Sequence, residues 1–234
     1  MNAITRNIPN AVTCLNLVAG TLAIICAAAG ASPWWGLQGW QWAAIFVGIA
    51  AAADFLDGFF ARLLRAYSEL GKELDSLCDL VSFGVAPALI LFYLLPSVGA
   101  LDWIRWCVFI IPVGAALRLA KFNIDTRQAT FFIGLPVPAN AIFWIGFCGM
   151  ITSGASFLTL IAVFLPLLLF EAWLMVSPFK LFSLKFSNLS WKNNKYRYIL
   201  ILAAAVLIFC MGTGGLMWLV IFYLLLSLCV GVDW

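Results

Sequence analysis

Apolar residues run along this chain in long blocks, interrupted at short intervals by glycine, proline and charge. Eight blocks stand out: residues 11–30, 40–64, 73–95, 103–122, 138–152, 156–177, 197–212 and 214–231. Most reach or approach the ~20 residues that a helix needs to cross a bilayer. The pattern predicts an all-α polytopic membrane protein of about eight transmembrane helices, forming one membrane domain over residues 1–234. The interruptions carry information of their own. Asn10 reads as the N-cap of the first helix, and that first block reads as a retained span, since no cleavage context follows it. Ser82, Phe83, Gly84 and Pro87 sit inside the third block and imply a close contact or a kink. Pro136 and Pro138 bracket a structured or re-entrant turn after the fourth block. Residues 212–215, with three glycines, form a hinge between the last two.

Composition agrees with this reading. The chain is 65% hydrophobic and 10% charged, with a mean hydropathy of +1.07, which is a membrane composition. Trp34, Trp35, Trp40 and Trp42 cluster beside the second block as an interfacial belt. Seven scattered cysteines with no C-x-x-C pair read as packing residues. Histidine is absent, which excludes histidine nucleophiles and histidine zinc sites. With the N-terminus in the cytoplasm, every basic residue except Arg105 falls on the cytoplasmic side, so both termini are expected there. The basic, aromatic segment 178–197 is expected on an anionic membrane surface. No long basic run or soluble domain offers a nucleic-acid surface, so no nucleic-acid partner is expected.

The chemistry concentrates in one place. Asp54 and Asp57 are three apart, and Asp75 and Asp79 are four apart, so on helices each pair shares a face. Two such helices joined by a short turn can aim four carboxylates at one spot. Carboxylates that close repel one another unless they are protonated or neutralised, and hard cations such as Mg²⁺ or Mn²⁺ take oxygen ligands of this kind. Gly58 and Gly71 leave room for a ligand to approach the backbone. Arg62 lies one turn beyond Gly58, where it can meet a metal-bound phosphate. Asn10, Thr13 and Asn16 recur every three residues and share a helix face. Acids at the membrane edge are usually functional; a divalent-cation transporter would need them spread through the membrane depth, whereas here only Glu171 lies elsewhere in a span.

These residues resemble the CDP-alcohol phosphotransferase family, whose signature is D-x-x-D-G-x-x-A-R, eight residues, then G-x-x-x-D-x-x-x-D. Asp54, Asp57, Gly58, Ala61, Arg62, Gly71, Asp75 and Asp79 match every signature position. The resemblance implies metal-dependent transfer of a phosphatidyl-type group from a CDP-linked lipid to an alcohol, with release of CMP. It implies two Mg²⁺ or Mn²⁺ ions on Asp54, Asp57 and Asp75, with Asp79 as the base that can also touch a metal. It puts Gly58, Ala61, Arg62, Ser68 and Gly71 against the CDP group, and allows a homodimer. Four further stretches are similar to the integral-membrane phosphatidylserine synthase branch: I-P-N-x-x-T-x-x-N-L at residues 8–17, which suggests nucleotide contact by Asn10 and Thr13, and residues 76–87, 118–123 and 132–139. That branch implies CDP-diacylglycerol and L-serine as partners, with membrane lipids around the chain. Inositol and glycerol 3-phosphate are the alternative acceptors. Arg118, Lys121 and Asn123, the last placed in the loop after the fourth span, are candidates for the serine carboxylate or the donor phosphates. Lysine at 121 stands where the branch leads one to expect arginine, which keeps the charge and loses the bidentate fork. The asymmetry of basic residues places the active site on the cytoplasmic side of the cytoplasmic membrane.

Overall fold

The computed structural model describes residues 3–66, 68–125, 131–153, 157–182 and 191–229. It divides into two compact units, residues 1–124 and 125–234. Among the described residues, five continuous helical segments have the length and hydropathy of a membrane span: Asn7–Ala27, Gly39–Leu63, Glu69–Val98, Asp102–Ile124 and Asn194–Cys229. Val137–Thr152 and Ala162–Val176 are apolar helices that are shorter. All eight apolar blocks are thus mainly helical where described, the first ending at Ala27. Arg127 and Lys185, two of the basic residues used to orient the chain, lie outside the described residues.

In the first unit, α1 (Ala3–Ala27) packs along α2 (Gly39–Leu63). Both offer small side chains to the unit's interior: Ala19, Ala23, Cys26 and Ala27 from α1, and Ala43, Ala50 and Ala53 from α2 are buried. Small residues let helix backbones come close where lipid gives little hydrophobic drive. Between the two helices, β1 (Pro33–Trp34) and β2 (Leu37–Gln38) form a minimal hairpin. Its two turn residues, Trp35 and Gly36, both have positive φ, as a tight type I′ turn requires. Trp34 and Trp35 are exposed, and the Trp42 indole donates to the Trp34 carbonyl at 2.7 Å, which fits an interfacial belt, whereas Trp40, expected in the same belt, is buried as a core residue.

Ser68 starts α3 (Glu69–Asp79) earlier than the apolar pattern does, because its hydroxyl caps the helix by accepting from the Gly71 amide at 3.0 Å. The helix then widens into a π-helical turn, Leu80–Val85, and returns to α-helix in α4 (Ala86–Leu94). Pro87 has no amide proton and crowds the carbonyl four residues back; the wider turn relieves this. The π turn also makes the close contacts expected of Ser82 and Gly84. A Cβ at Gly20 of α1 would lie 2.8 Å from the Ser82 Cα, and one at Gly84 would lie 3.0 Å from the Ala115 Cβ. The segment ends at Gly99, in the left-handed region. After the short α5 (Asp102–Trp106), α6 (Ile110–Ile124) completes the unit.

Two expectations change here. Asn10 is not an N-cap, because α1 begins at Ala3 and carries Pro9 within it. Proline forgoes one backbone bond there without ending the helix, and the Asn10 side chain is left available for another role. Asn123 is not in a loop; it belongs to the last turn of α6, because nothing in the sequence stops the helix before Ile124.

The second unit is built on α7 (Val137–Thr152), which is buried on most of its circumference. Trp144 and Phe147 meet Phe164 of α8 (Phe157–Val176), with ring centroids 5.8 and 5.6 Å apart. On another side, a Cβ at Gly146 would lie 2.8 Å from the Leu216 carbonyl carbon, so glycine lets α10 (Gly215–Cys229) approach. The chain reaches α10 from α9 (Trp191–Met211) by the expected hinge, with Gly212 at φ +57. A short ladder joins β3 (Phe131–Ile133) to β4 (Lys180–Phe182), and the Tyr223 hydroxyl of α10 donates to the Phe182 carbonyl at 3.0 Å. The turn expected at the two prolines is instead a helix start: Pro136 is the N-cap of α7 and Pro138 lies in its first turn, where a missing amide proton costs nothing.

Candidate active site

The site lies in the first unit, where α2, α3 and α1 meet. The turn from α2 to α3 is short, and Arg65 within it takes φ +51, a left-handed conformation that reverses the chain tightly. Asp54, Asp57 and Asp75 converge, so that one carboxylate oxygen from each lies within 4.8 Å of the others. Asp57 is buried and accepts a 2.6 Å hydrogen bond from the Thr13 hydroxyl, which is also 3.0 Å from the Pro9 carbonyl. Asp75 Oδ1 is buried without a hydrogen-bond partner among the described residues. None of the four carboxylates has a cationic side chain at ion-pair distance among those residues.

Asp79 stands outside the trio. It is 8% exposed, and its Oδ1 accepts from the Asn16 amide at 3.0 Å. Asn16 is fully buried, and its own carbonyl accepts from the Ser82 hydroxyl of the π turn at 3.0 Å. Helix α1 therefore addresses both carboxylate pairs, Thr13 holding Asp57 and Asn16 holding Asp79.

Beside the trio opens a cleft of about 210 Å³. Six of the seven residues expected against a CDP group line it: Asn10, Thr13, Gly58, Ala61, Ser68 and Gly71. Asp57 and Asp75 form part of its wall, as do Pro9, Ala66 and Lys72. Gly71 is needed for this shape, since a Cβ there would come within 2.9 Å of both Asn10 Oδ1 and Ser68 Oγ. Gly58 faces open space, with the Arg62 guanidinium 4.0 Å from where a Cβ would be. Arg62 itself is exposed and does not line the cleft.

The α6 residues occupy a different position. Asn123 is tied to α3: its side-chain amide lies 3.0 Å and its side-chain oxygen 3.2 Å from the Ser76 hydroxyl, the amide also donates to Glu73 at 3.3 Å, and its backbone carbonyl accepts from the Lys72 ammonium at 2.6 Å. Arg118 is 4% exposed, with its guanidinium 5.3 Å from the Phe122 ring centroid. Lys121 is exposed. Sequence reasoning named Asn16 only as part of a helix face and Ser82 only as a close contact or kink, and gave Ser76 and Lys72 no role in the site. The signal for Asn16 was its spacing from Thr13; a hydroxyl or ammonium one turn from an acid gives no such pattern.

A trio of carboxylates with an unpartnered buried oxygen and no cation at ion-pair distance among the described residues is a donor set for a hard divalent ion, so the residues present fit the metals that the motif implies. The family model for CDP-alcohol phosphatidyltransferase matches residues 6–182.

The chain belongs to the CDP-alcohol phosphatidyltransferase family.

Its relatives include proteins named CDP-diacylglycerol–serine O-phosphatidyltransferase. That of Mycobacterium leprae is 39% identical over 59% of this chain and 45% of its own length. That of Bacillus subtilis is 42% identical over 41% of this chain and 54% of its own. That of Helicobacter pylori is 34% identical over 66% of this chain and 65% of its own. The chain spans about half the length of the first two of these relatives. Family membership, together with the five long apolar helices, makes this an integral membrane protein.

The geometry sets an expectation for metal affinity. Thr13→Val keeps the shape of the side chain and removes the donor to Asp57. Mn²⁺ affinity, read by electron paramagnetic resonance on purified protein, should fall about tenfold, as loss of an outer hydrogen bond to a ligand does. Asp75→Asn should weaken it further. Wild-type affinity in both variants would show that the trio does not bind the ion.

Proposed function

We propose that this chain transfers the phosphatidyl group of CDP-diacylglycerol to L-serine, giving phosphatidylserine and CMP. The carboxylate trio beside a cleft lined by the family's CDP residues carries this reading, and the names of the relatives support serine as acceptor. Two Mg²⁺ or Mn²⁺ ions held by Asp54, Asp57 and Asp75 would polarise the donor's pyrophosphate and stabilise the departing CMP. The cleft residues orient the nucleotide: Asn10 and Ser68 offer polar groups, and Gly58 and Gly71 keep its walls open.

An alcohol is a weak nucleophile at neutral pH and needs a base. Asp79 has one oxygen engaged by Asn16, which leaves Oδ2 to take the proton of the serine hydroxyl. The serine oxygen then bonds to the phosphatidyl phosphorus as the bond to the CMP oxygen breaks, without a covalent enzyme intermediate. Asp79→Asn should abolish transfer while leaving the protein folded and inserted. Purified protein given CDP-diacylglycerol and separately serine, inositol or glycerol 3-phosphate should yield phosphatidylserine alone; another lipid product would transfer the chemistry to that acceptor.

Serine brings a carboxylate that needs a cation. Arg118 and Lys121 sit on α6, and Asn123 of the same turn is bonded to α3 beside Asp75. Arg118→Ala should raise the serine KM roughly tenfold or more, the loss of a charge-assisted hydrogen bond of ~1.5–3 kcal/mol. A collapse of donor affinity with the serine KM unchanged would assign Arg118 to the phosphates.

The asymmetry of basic residues supports a cytoplasmic active site, eight crossings and both termini in the cytoplasm. A cysteine at Trp35, in the exposed β1–β2 turn, should then react with an impermeant thiol reagent added to intact cells. Reaction only after the membrane is opened would reverse the orientation.

A further inference from the structure

Lys72 is the one cationic residue among the described residues that line the cleft. It lies in the first turn of α3, one residue past Gly71, at a position the family signature leaves unspecified. Its side chain is exposed, and its ammonium donates to the Asn123 carbonyl at 2.6 Å. That carbonyl belongs to the last turn of α6, where carbonyls lack partners within the helix and the helix dipole is negative. The ammonium therefore rests on a weak anionic dock at the rim of a cleft that also carries two carboxylates, Asp57 and Asp75.

An anionic ligand entering that cleft meets those carboxylates. Bound cations would offset them, but the ligand's own phosphates still need donors from the wall. Arg62 does not line the cleft. We propose that Lys72 is a donor-binding residue: its ammonium exchanges the Asn123 carbonyl for the pyrophosphate of a cytidine-diphosphate lipid. The inference rests on the CDP-lipid reading of the cleft and is independent of which alcohol is the acceptor. The exchange is favourable because an ammonium–phosphate bond is charged on both sides, and such bonds are shorter and stronger than those to a neutral carbonyl. Ser76 and Glu73 keep their hold on the Asn123 side chain, so α6 stays attached to α3 while its last carbonyls are released.

Calorimetric titration of the purified full chain with CDP, at several salt concentrations, tests this. Lys72→Met should weaken CDP binding about tenfold, the scale of a lost charge-assisted contact, and flatten its salt dependence. Lys72→Arg, which keeps the charge, should recover most of the loss. Unchanged CDP affinity in Lys72→Met, or equal loss in both variants, would overturn the inference and leave Lys72 as a strap between α3 and α6. If serine is not used but CDP binding still depends on Lys72, the acceptor reading fails and this inference stands. If the wild-type chain does not bind CDP, the donor reading fails, and the inference with it.

Discussion

Three carboxylates held within one ion's reach, in a protein that is otherwise mostly apolar, set the terms for the whole first unit. Like charges this close drive each other apart, so side chains around them must fix each acid in place. Helix α1 supplies that restraint. Thr13 and Asn16, three residues apart, reach Asp57 and Asp79 from one face. Reaching both requires α1 to lie close against the α3 segment, and Gly20 permits this by leaving room for Ser82. Ser82 in turn bonds the Asn16 backbone, so the residue that allows the approach and the residue that orients Asp79 belong to one contact. A helix interface of small residues thus becomes a statement about where a carboxylate oxygen points.

The π turn has the same logic. A straight α-helix from Glu69 to Leu94 would carry Pro87 at the expense of a clash with the carbonyl four residues earlier. Widening over Leu80–Val85 absorbs that and turns Ser82 to α1 and Gly84 to α6. Helix α6 is then drawn to α3 at two heights, by Gly84 against Ala115 and by Asn123 against Ser76. π turns inside α-helices are frequent at functional sites, and here the turn begins one residue after Asp79.

Much of this was legible because it is local. Carboxylates three and four apart share a helix face whatever surrounds them, and hydropathy blocks of span length read as helices. The four aspartates of the signature follow that spacing, and the cleft lining was implied by the family resemblance that the signature carries. What spacing does not carry is the distance between helices, so the four aspartates looked like one cluster, whereas the oxygens within 4.8 Å of one another come from Asp54, Asp57 and Asp75. Asn10 was read as a cap because it stands just ahead of the first apolar block, yet a helix already under way at Ala3 passes through Pro9. The two short ladders were invisible, since strands of two or three residues have no periodicity to read. Lys72 went unnoticed as a cleft residue because a lone lysine past a glycine is the commonest kind of surface residue; only the cleft and the Asn123 carbonyl give it a role.

Separation of Asp79 from the trio bears on how one protein can run two tasks on four identical side chains. A metal ligand needs an oxygen left open for the ion, such as Asp75 Oδ1, which has no hydrogen-bond partner among the described residues. A base needs the opposite: one oxygen pinned so that the other has a defined direction. Asp79 meets that condition through Asn16. In the proposed reaction the division of labour is therefore set by helix α1, outside the aspartate motif itself. A chain with all the signature residues but an apolar side chain at position 16 would keep the carboxylates and lose the asymmetry between them.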